Sequence, residues 1–210
     1  MSPQGVFITI EGGEGAGKST QIARLADRLR AAGHEVLTTR EPGGTPGAEA
    51  IRALMLDPAR HFAPLADTLL VFAARADHVA AVIRPALERG AVVLCDRFTD
   101  STMAYQGYGL GVGRTTIATL ETMIDLTPDL TLILDLPDAA ARARLARRGS
   151  ATDRYEQFDA EFAARVAAGF RAIAATAPER CVVVDAAGGI EEITDALAAL
   201  IRARLGLAIA

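Results

Sequence analysis

The chain has 210 residues, half of them hydrophobic and 23% charged, which suits one globular domain with a sizeable core. With 22 Lys and Arg against 26 Asp and Glu, its net charge is −4. That balance excludes a general binder of nucleic acid or of an anionic membrane surface, though not a local arginine cluster holding one small anion.

Val6 to Ile10 is an apolar run that reads as a first strand, buried on both faces as in a parallel sheet. It leads into Gly12-Gly13-Glu14-Gly15-Ala16-Gly17-Lys18-Ser19, and then Thr20, where a helical pattern spans residues 18–32. The stretch matches G-x-x-x-x-G-K-[ST] without mismatch, in the strand–loop–helix setting of a phosphate-binding loop. Its glycines let successive backbone N–H groups converge on one anion, and the helix aims its positive end there. Lys18 can reach the β- and γ-phosphates of a nucleotide, and the Ser19 hydroxyl can sit on Mg²⁺. Lys18 is also the only lysine; every other basic residue is an arginine. A planar guanidinium is too large for a loop wrapped around a compact ammonium.

Glu35 to Thr39 reads as a second strand. Arg40-Glu41-Pro42-Gly43-Gly44-Thr45-Pro46-Gly47 follows as a loop rich in breakers, then a helix at 48–57. Pro64 opens a long helix toward Arg89, which Pro85 should kink or split. Ala91 to Cys95 is a third strand, followed at once by Asp96-Arg97. Residues 100–107 read as a short helix, and Gly107, Gly109, Gly111 and Gly113 as a flexible connector. A helix at 115–126, a fourth strand from Leu130 to Leu134 and a helix at 138–148 come next. After the polar stretch Ser150–Glu156 there is a helix at 157–176, a fifth strand from Cys181 to Val184, and a last helix from Ile190 to Leu205. Cys95 and Cys181 read as buried strand thiols.

Strands joined by helical crossovers imply an α/β fold: a doubly wound, five-stranded parallel sheet flanked by helices, the P-loop kinase fold, with residues 1–210 as a single domain. Ligands should bind outside the carboxyl ends of the strands. Those ends carry Glu11, Arg40-Glu41, Asp96-Arg97, Asp135 and Asp185. No apolar run approaches the ~18–20 residues of a membrane span, and no basic segment followed by an apolar one stands near the first residues. The expected location is the cytoplasm, with no membrane and no nucleic-acid partner.

A phosphate loop alone says only that a nucleoside triphosphate binds. With a single lysine the chain cannot carry the Asn-Lys-x-Asp guanine signature, which leaves a compact kinase-like transferase as the leading class. Such an enzyme must neutralise a second phosphate and keep water from the γ-phosphoryl group. Arg40, Arg97, Arg148 and Arg154 fall at strand ends or in the polar stretch. The segment at 148–156, between two helices, reads as a mobile lid. Asp96 and Asp135 are both candidates for the carboxylate near Mg²⁺. Asp96 has an arginine beside it, whereas Asp135 is placed to cap the next helix.

Four stretches carry a more specific signal: Phe7-Ile8-Thr9-Ile10-Glu11-Gly12, Thr39-Arg40-Glu41-Pro42-Gly43-Gly44-Thr45, Phe72-Ala73-Ala74-Arg75-Ala76-Asp77-His78, and Asp96-Arg97-Phe98 with Ser101 and Ala104-Tyr105-Gln106-Gly107. Through them the chain resembles bacterial thymidylate kinases (dTMP kinases) over essentially its whole length. The resemblance implies transfer of a phosphoryl group from ATP to dTMP, with Mg²⁺, in a homodimer built on helix faces. It implies Asp96 as the acid near the metal, Arg97 on the acceptor phosphate with help from Arg52, and Glu11 and Glu41 beside the sugar and phosphates. It also implies Arg75 on a thymine carbonyl, Thr102 and Gln106 along the base edge, and Tyr105 against the sugar. The phosphate loop carries no arginine, so the chain resembles the relatives whose catalytic arginine lies in the lid; which of Arg148 and Arg154 reaches the transferred phosphate stays open.

One departure stands out. Where relatives have an aromatic residue four before the base-reading arginine, this chain has Val71, and the aromatic is Phe72, three before Arg75. Both spacings share one helix face, and Phe72 is expected to stack on the base. His34, His61 and His78 carry no expected chemistry. The alternatives are a kinase of another small acceptor, or a nucleotide-binding protein without turnover; the intact set of Lys18, Asp96, Arg97 and lid arginines favours an enzyme.

Overall fold

The computed structural model describes residues 5–148 and 159–210. In chain order it contains β1 (Val6–Gly12), α1 (Lys18–Ala31), β2 (Val36–Arg40), α2 (Pro46–Leu56), α3 (Pro64–His78), α4 (Arg84–Glu88) and β3 (Val92–Asp96). Then come α5 (Thr99–Thr102), α6 (Arg114–Ile124), β4 (Leu130–Asp135), α7 (Asp138–Arg148), α8 (Ala160–Thr176), β5 (Cys181–Asp185) and α9 (Ile190–Leu205). The five strands form one parallel sheet in the order β2-β3-β1-β4-β5.

Alternation along each strand divides the core between two faces. Ile8, Ile10, Leu130, Leu132 and Leu134 pack against Leu25 and Leu29 of α1 and Leu197 and Ile201 of α9. Phe7, Val93 and Cys95 face the other way, onto Phe72, Ile83, Phe98 and Ile117. Burying each such aliphatic or aromatic side chain contributes roughly 1.5–3 kcal/mol. In register, Asp96 lies opposite both Ile10 and Arg40, so β1, β2 and β3 end together, with the phosphate loop just beyond.

The helical stretch from Pro64 to Glu88 is divided by a π-helical turn at Val79–Ile83. Pro85 lacks an N–H, and its ring crowds the carbonyl four residues back; the wider turn takes up the difference before α4 resumes. A second π-helical turn, Met103–Gly109, extends α5. It corrects the expectation of a flexible connector at Gly107 and Gly109. Both are buried, and a Cβ on Gly109 would stand 2.5 Å from the Phe162 ring of α8. Across the same contact a Cβ on Gly169 would stand 2.8 Å from Tyr108. These glycines serve close helix packing. Only Gly111, with φ +76°, and Gly113 lie in the following loop.

A polar seam ties this helical layer to the sheet. Arg180, just before β5, makes a two-pronged ion pair with Asp100 of α5 at 2.6 and 2.7 Å, and also donates to Thr131 at 2.8 Å. Thr131 in turn bonds Thr9 of β1 at 2.9 Å. The seam fixes α5, and with it Ser101 and Thr102, over the carboxyl end of β1.

Candidate active site

Two cavities open at the carboxyl ends of β1, β2 and β3. The first, about 990 Å³, runs along the phosphate loop and is lined by Lys18, Ser19, Thr20 and Asp96. The second, about 590 Å³, is lined by Val71 and Arg75 of α3, Thr102, Tyr105 and Gln106. Glu14, Glu41, Arg52 and Arg97 belong to the walls of both.

Gly12 has φ +133°, and a Cβ there would meet the Leu134 carbonyl at 2.4 Å, so only glycine lets the loop leave β1 beside β4. Lys18 folds back into the loop, donating to the carbonyls of Gly13 at 2.9 Å and Gly12 at 3.3 Å. Its burial, reinforced by the Arg97 cation, lowers its pKa below the ordinary lysine value. The Ser19 hydroxyl donates to Asp96 Oδ2 at 3.0 Å.

Arg97 has φ +70°, in the left-handed region that non-glycine residues seldom adopt. That conformation turns the side chain back across the end of β1. Its guanidinium donates to the Gly12 carbonyl at 2.9 Å, to Ser101 Oγ at 3.2 Å, to the Tyr105 hydroxyl at 3.1 Å and to the Glu14 carboxylate. It also lies 4.9 Å from the centre of the Tyr105 ring. Burial alone would raise the Glu14 carboxyl, but Arg97 and then Lys18 outweigh it and hold it at about 2. Glu14 in turn holds the Arg97 cation well above its ordinary value, against the opposing effect of burial.

Arg75 is clamped as firmly. Its guanidinium lies between the rings of Phe72 and Phe98, at 4.9 and 5.0 Å. Nε donates to Glu41 at 2.6 Å, and Nη2 to Thr102 Oγ1 at 3.0 Å. Glu41 is held on its other oxygen by His78 Nδ1 at 3.0 Å, while His78 Nε2 meets Thr39 Oγ1 at 2.7 Å. Three residues of one turn, Arg75, Asp77 and His78, thereby pin the loop from Glu41 to Thr45.

Among the described residues, two buried side-chain polar atoms have no hydrogen-bond partner: Arg75 Nη1 and Asp96 Oδ1. Arg75 is in the wall of the second cavity and Asp96 in that of the first. A buried donor or acceptor left unmade costs about 1–3 kcal/mol, more when charged.

Most residues expected in the site converge here. Gly13, Gly15, Ala16 and Gly17 complete the phosphate loop, and Arg52 donates to the Pro42 carbonyl at 2.9 Å on the shared wall. Two expectations need correction. Phe72 does not face the second cavity: it packs in the core against Phe98 and under Arg75, leaving Val71 on the cavity wall. Glu11 is fully buried behind the site, accepting from the Phe98 N–H at 2.7 Å and from the Ser101 hydroxyl, so it acts through those residues. Asp135 is occupied by Arg171 of α8 at 2.9 and 3.0 Å, which leaves Asp96 as the carboxylate beside the phosphate loop. The side chain of Arg148 and all of Arg154 lie outside the described residues, as does the remainder of the expected lid up to 156. Arg144 was not anticipated; it donates to the carbonyls of Ala186 at 2.9 Å and Ala16 at 3.4 Å beside the phosphate loop. Its place two turns after the start of α7, facing back toward the loop, follows from tertiary packing alone.

The family model for thymidylate kinase matches residues 10–197. The chain belongs to the thymidylate kinase family. It is 54% identical to the thymidylate kinase of Caulobacter vibrioides over 207 residues, covering 97% of this chain and 99% of that one. It is 57% identical to the thymidylate kinase of Pseudomonas fluorescens over 201 residues, covering 94% and 95%. The crystal structure of thymidylate kinase from Ehrlichia chaffeensis superposes with a TM-score of 0.79 at 34% identity, covering 95% of this chain and 99% of that one. The matched residues include those lining both cavities.

In this family member the buried Glu11 carries a measurable signature. Burial first, and then the nearby Asp100 carboxylate, push its carboxyl from 4.5 up to about 7. The folded protein therefore retains a proton that the unfolded chain releases, and the stability this gives is complete below pH 4.5 and lost as pH rises through about 7. Wild-type protein should lose stability relative to Glu11→Gln across that range. Urea midpoints measured from pH 4.5 to 7 check it, and parallel curves for the two proteins would contradict it.

Proposed function

We propose that the chain transfers the γ-phosphoryl group of ATP to dTMP, giving ADP and dTDP, with ATP on the phosphate loop and dTMP in the second cavity. The observation that carries this reading is the pair of cavities, one walled by Arg75 and the other by Asp96, each with an unpartnered buried polar atom, and Arg97 in the wall they share. Two phosphates approaching from opposite sides would meet at that guanidinium.

Backbone N–H groups from Gly12 to Thr20, the N-terminal end of α1 and the Lys18 ammonium hold the donor phosphates. Ser19 and Asp96 fit a Mg²⁺ ion, because Asp96 Oδ1 is a buried oxygen without a partner and Oδ2 is already oriented by Ser19. Among the described residues no group of three His, Cys, Asp or Glu could hold a metal; Mg²⁺ commonly draws its other ligands from phosphate and water. When bound, the ion neutralises charge on the β- and γ-phosphate oxygens. Arg97 grips the acceptor phosphate, competing it against Glu14, and Arg52 assists from the same wall. Arg75 donates Nη1 to a carbonyl of the base, Val71 supplies an apolar surface beside the ring, and Tyr105 presses on the sugar. The phosphate loop has no arginine, so further cationic help falls to Arg148 and Arg154. Positioning and electrostatics carry this chemistry, and no general base is required.

We further infer a homodimer. Leu65 and Leu69, one turn apart on α3, are 50% and 48% exposed, and Met123 on the adjoining α6 is 73% exposed. A second copy of the chain would cover them. No helix among the described residues is long and apolar enough to cross a membrane.

ATP-dependent phosphorylation of dTMP, dUMP, dCMP and AMP tests the reading, with dTMP expected as the preferred acceptor and absence of dTDP contradicting it. Lys18→Ala should slow turnover at least about 100- to 1,000-fold with the fold intact; near-normal turnover would remove Lys18 from the chemistry. Sedimentation should give a dimer for the wild type and a monomer for a Leu69→Glu, Met123→Glu double variant. A monomeric wild type would overturn the inference.

A further inference from the structure

The second cavity contains a polar contact that none of the roles above uses. Asp67, in the first turn of α3, is completely buried, and Gln106, in the π-helical turn after α5, is 3% exposed. Gln106 Nε2 donates to Asp67 Oδ2 at 2.9 Å. Gln106 lines the cavity and Asp67 stands behind it.

A primary amide has a donor end and an acceptor end of nearly the same shape, and its neighbours decide which way round it sits. A carboxylate is acceptor-only, so it takes the NH₂ end and rejects the oxygen. We infer that Asp67 is a positioning residue: it fixes the Gln106 amide with its nitrogen away from the cavity and its carbonyl oxygen on the base edge, and so sets which pyrimidine the enzyme accepts. This rests on the reading of the cavity as the site of a pyrimidine monophosphate.

The consequence follows from the second reader on the same wall. Arg75, eight residues beyond Asp67 on α3, offers the unpartnered donor Nη1. The cavity thus shows one donor and, on Gln106, one acceptor. A 4-oxo pyrimidine presents the complement, a carbonyl oxygen beside a ring N–H. A 4-aminopyrimidine presents the reverse, an amino donor beside an unprotonated ring nitrogen, and meets both readers wrongly. Were the amide free to turn over, Gln106 would offer its NH₂ to that ring nitrogen, and half of the discrimination would be lost. Asp67 removes that option by charge and hydrogen-bonding character, without touching the nucleotide.

The test compares kcat/KM for dTMP and dCMP in the full-length enzyme. Asp67→Asn, which can accept or donate toward Gln106, should lower the dTMP/dCMP ratio roughly 10- to 100-fold, the effect of one hydrogen bond made or opposed. In a Gln106→Met background, where there is no amide to orient, Asp67→Asn should leave the ratio unchanged. Asp67→Glu and Asp67→Gln form a second comparison of equal size and equal packing disturbance. The Glu variant should keep the ratio and the Gln variant lose it, so the test survives even if Asp67→Asn folds poorly. Equal losses on both substrates, or the same change of ratio with Gln106→Met as without it, would overturn the inference. A wild type inactive on dTMP would instead sink the proposed function, and the two failures are thereby distinct.

Discussion

The Arg97 guanidinium, held between the phosphate loop and the helical stretch after β3, is the interaction on which the site depends. It reaches Gly12 and Glu14 on one side and Ser101 and Tyr105 on the other. The backbone accepts a left-handed conformation to place it there, at a cost of about 1–2 kcal/mol. A cation so confined needs an anion. Without nucleotides Glu14 provides it, in a partly buried ion pair. The ion pair therefore keeps the guanidinium at the junction of the two cavities before any phosphate arrives. Preorganised charge of this kind is an effective means of stabilising a phosphoryl-transfer transition state.

The rest of the molecule is arranged to keep that junction rigid. Glu11 ties the turn containing Arg97 to α5 through Phe98 and Ser101. The Asp100–Arg180 pair anchors α5 to the far end of the sheet. On the opposite wall, Glu41 is shared by Arg75 and His78, so the loop after β2 and the helix α3 move as one body. Each carboxylate behind the site is tied to a donor on a different element. The phosphate loop, the wall of the second cavity and helix α3 thus hold one relative geometry.

Much of this was legible in the residues alone, and the reasons differ by feature. The phosphate loop is contiguous, and its glycines and Lys18 act where they stand, so motif and function coincide. Five apolar runs separated by helical periods were sufficient for a parallel sheet and for a site at its carboxyl edge. What could not be read depends on partners distant in sequence. Val71 and Phe72 both stand within about one turn of Arg75, and it is packing with residues distant in sequence, Phe7 and Phe98 among them, that takes Phe72 into the core. Gly107 and Gly109 have the composition of a flexible loop, yet Gly109 packs against Phe162, more than fifty residues on, and Gly107 against Ile117. Asp96 and Asp135 end equivalent strands, and Arg171 separates their roles by pairing with Asp135. His78 had no expected role because its two partners, Glu41 and Thr39, lie on another element.

The most direct measurement is a crystal structure of the full chain with dTMP and a non-hydrolysable ATP analogue. The Arg97 guanidinium should lie within hydrogen-bond distance of the dTMP phosphate, with Lys18 on the donor phosphates from the other side. Arg97 still paired with Glu14 and out of reach of either nucleotide's phosphates would contradict the arrangement.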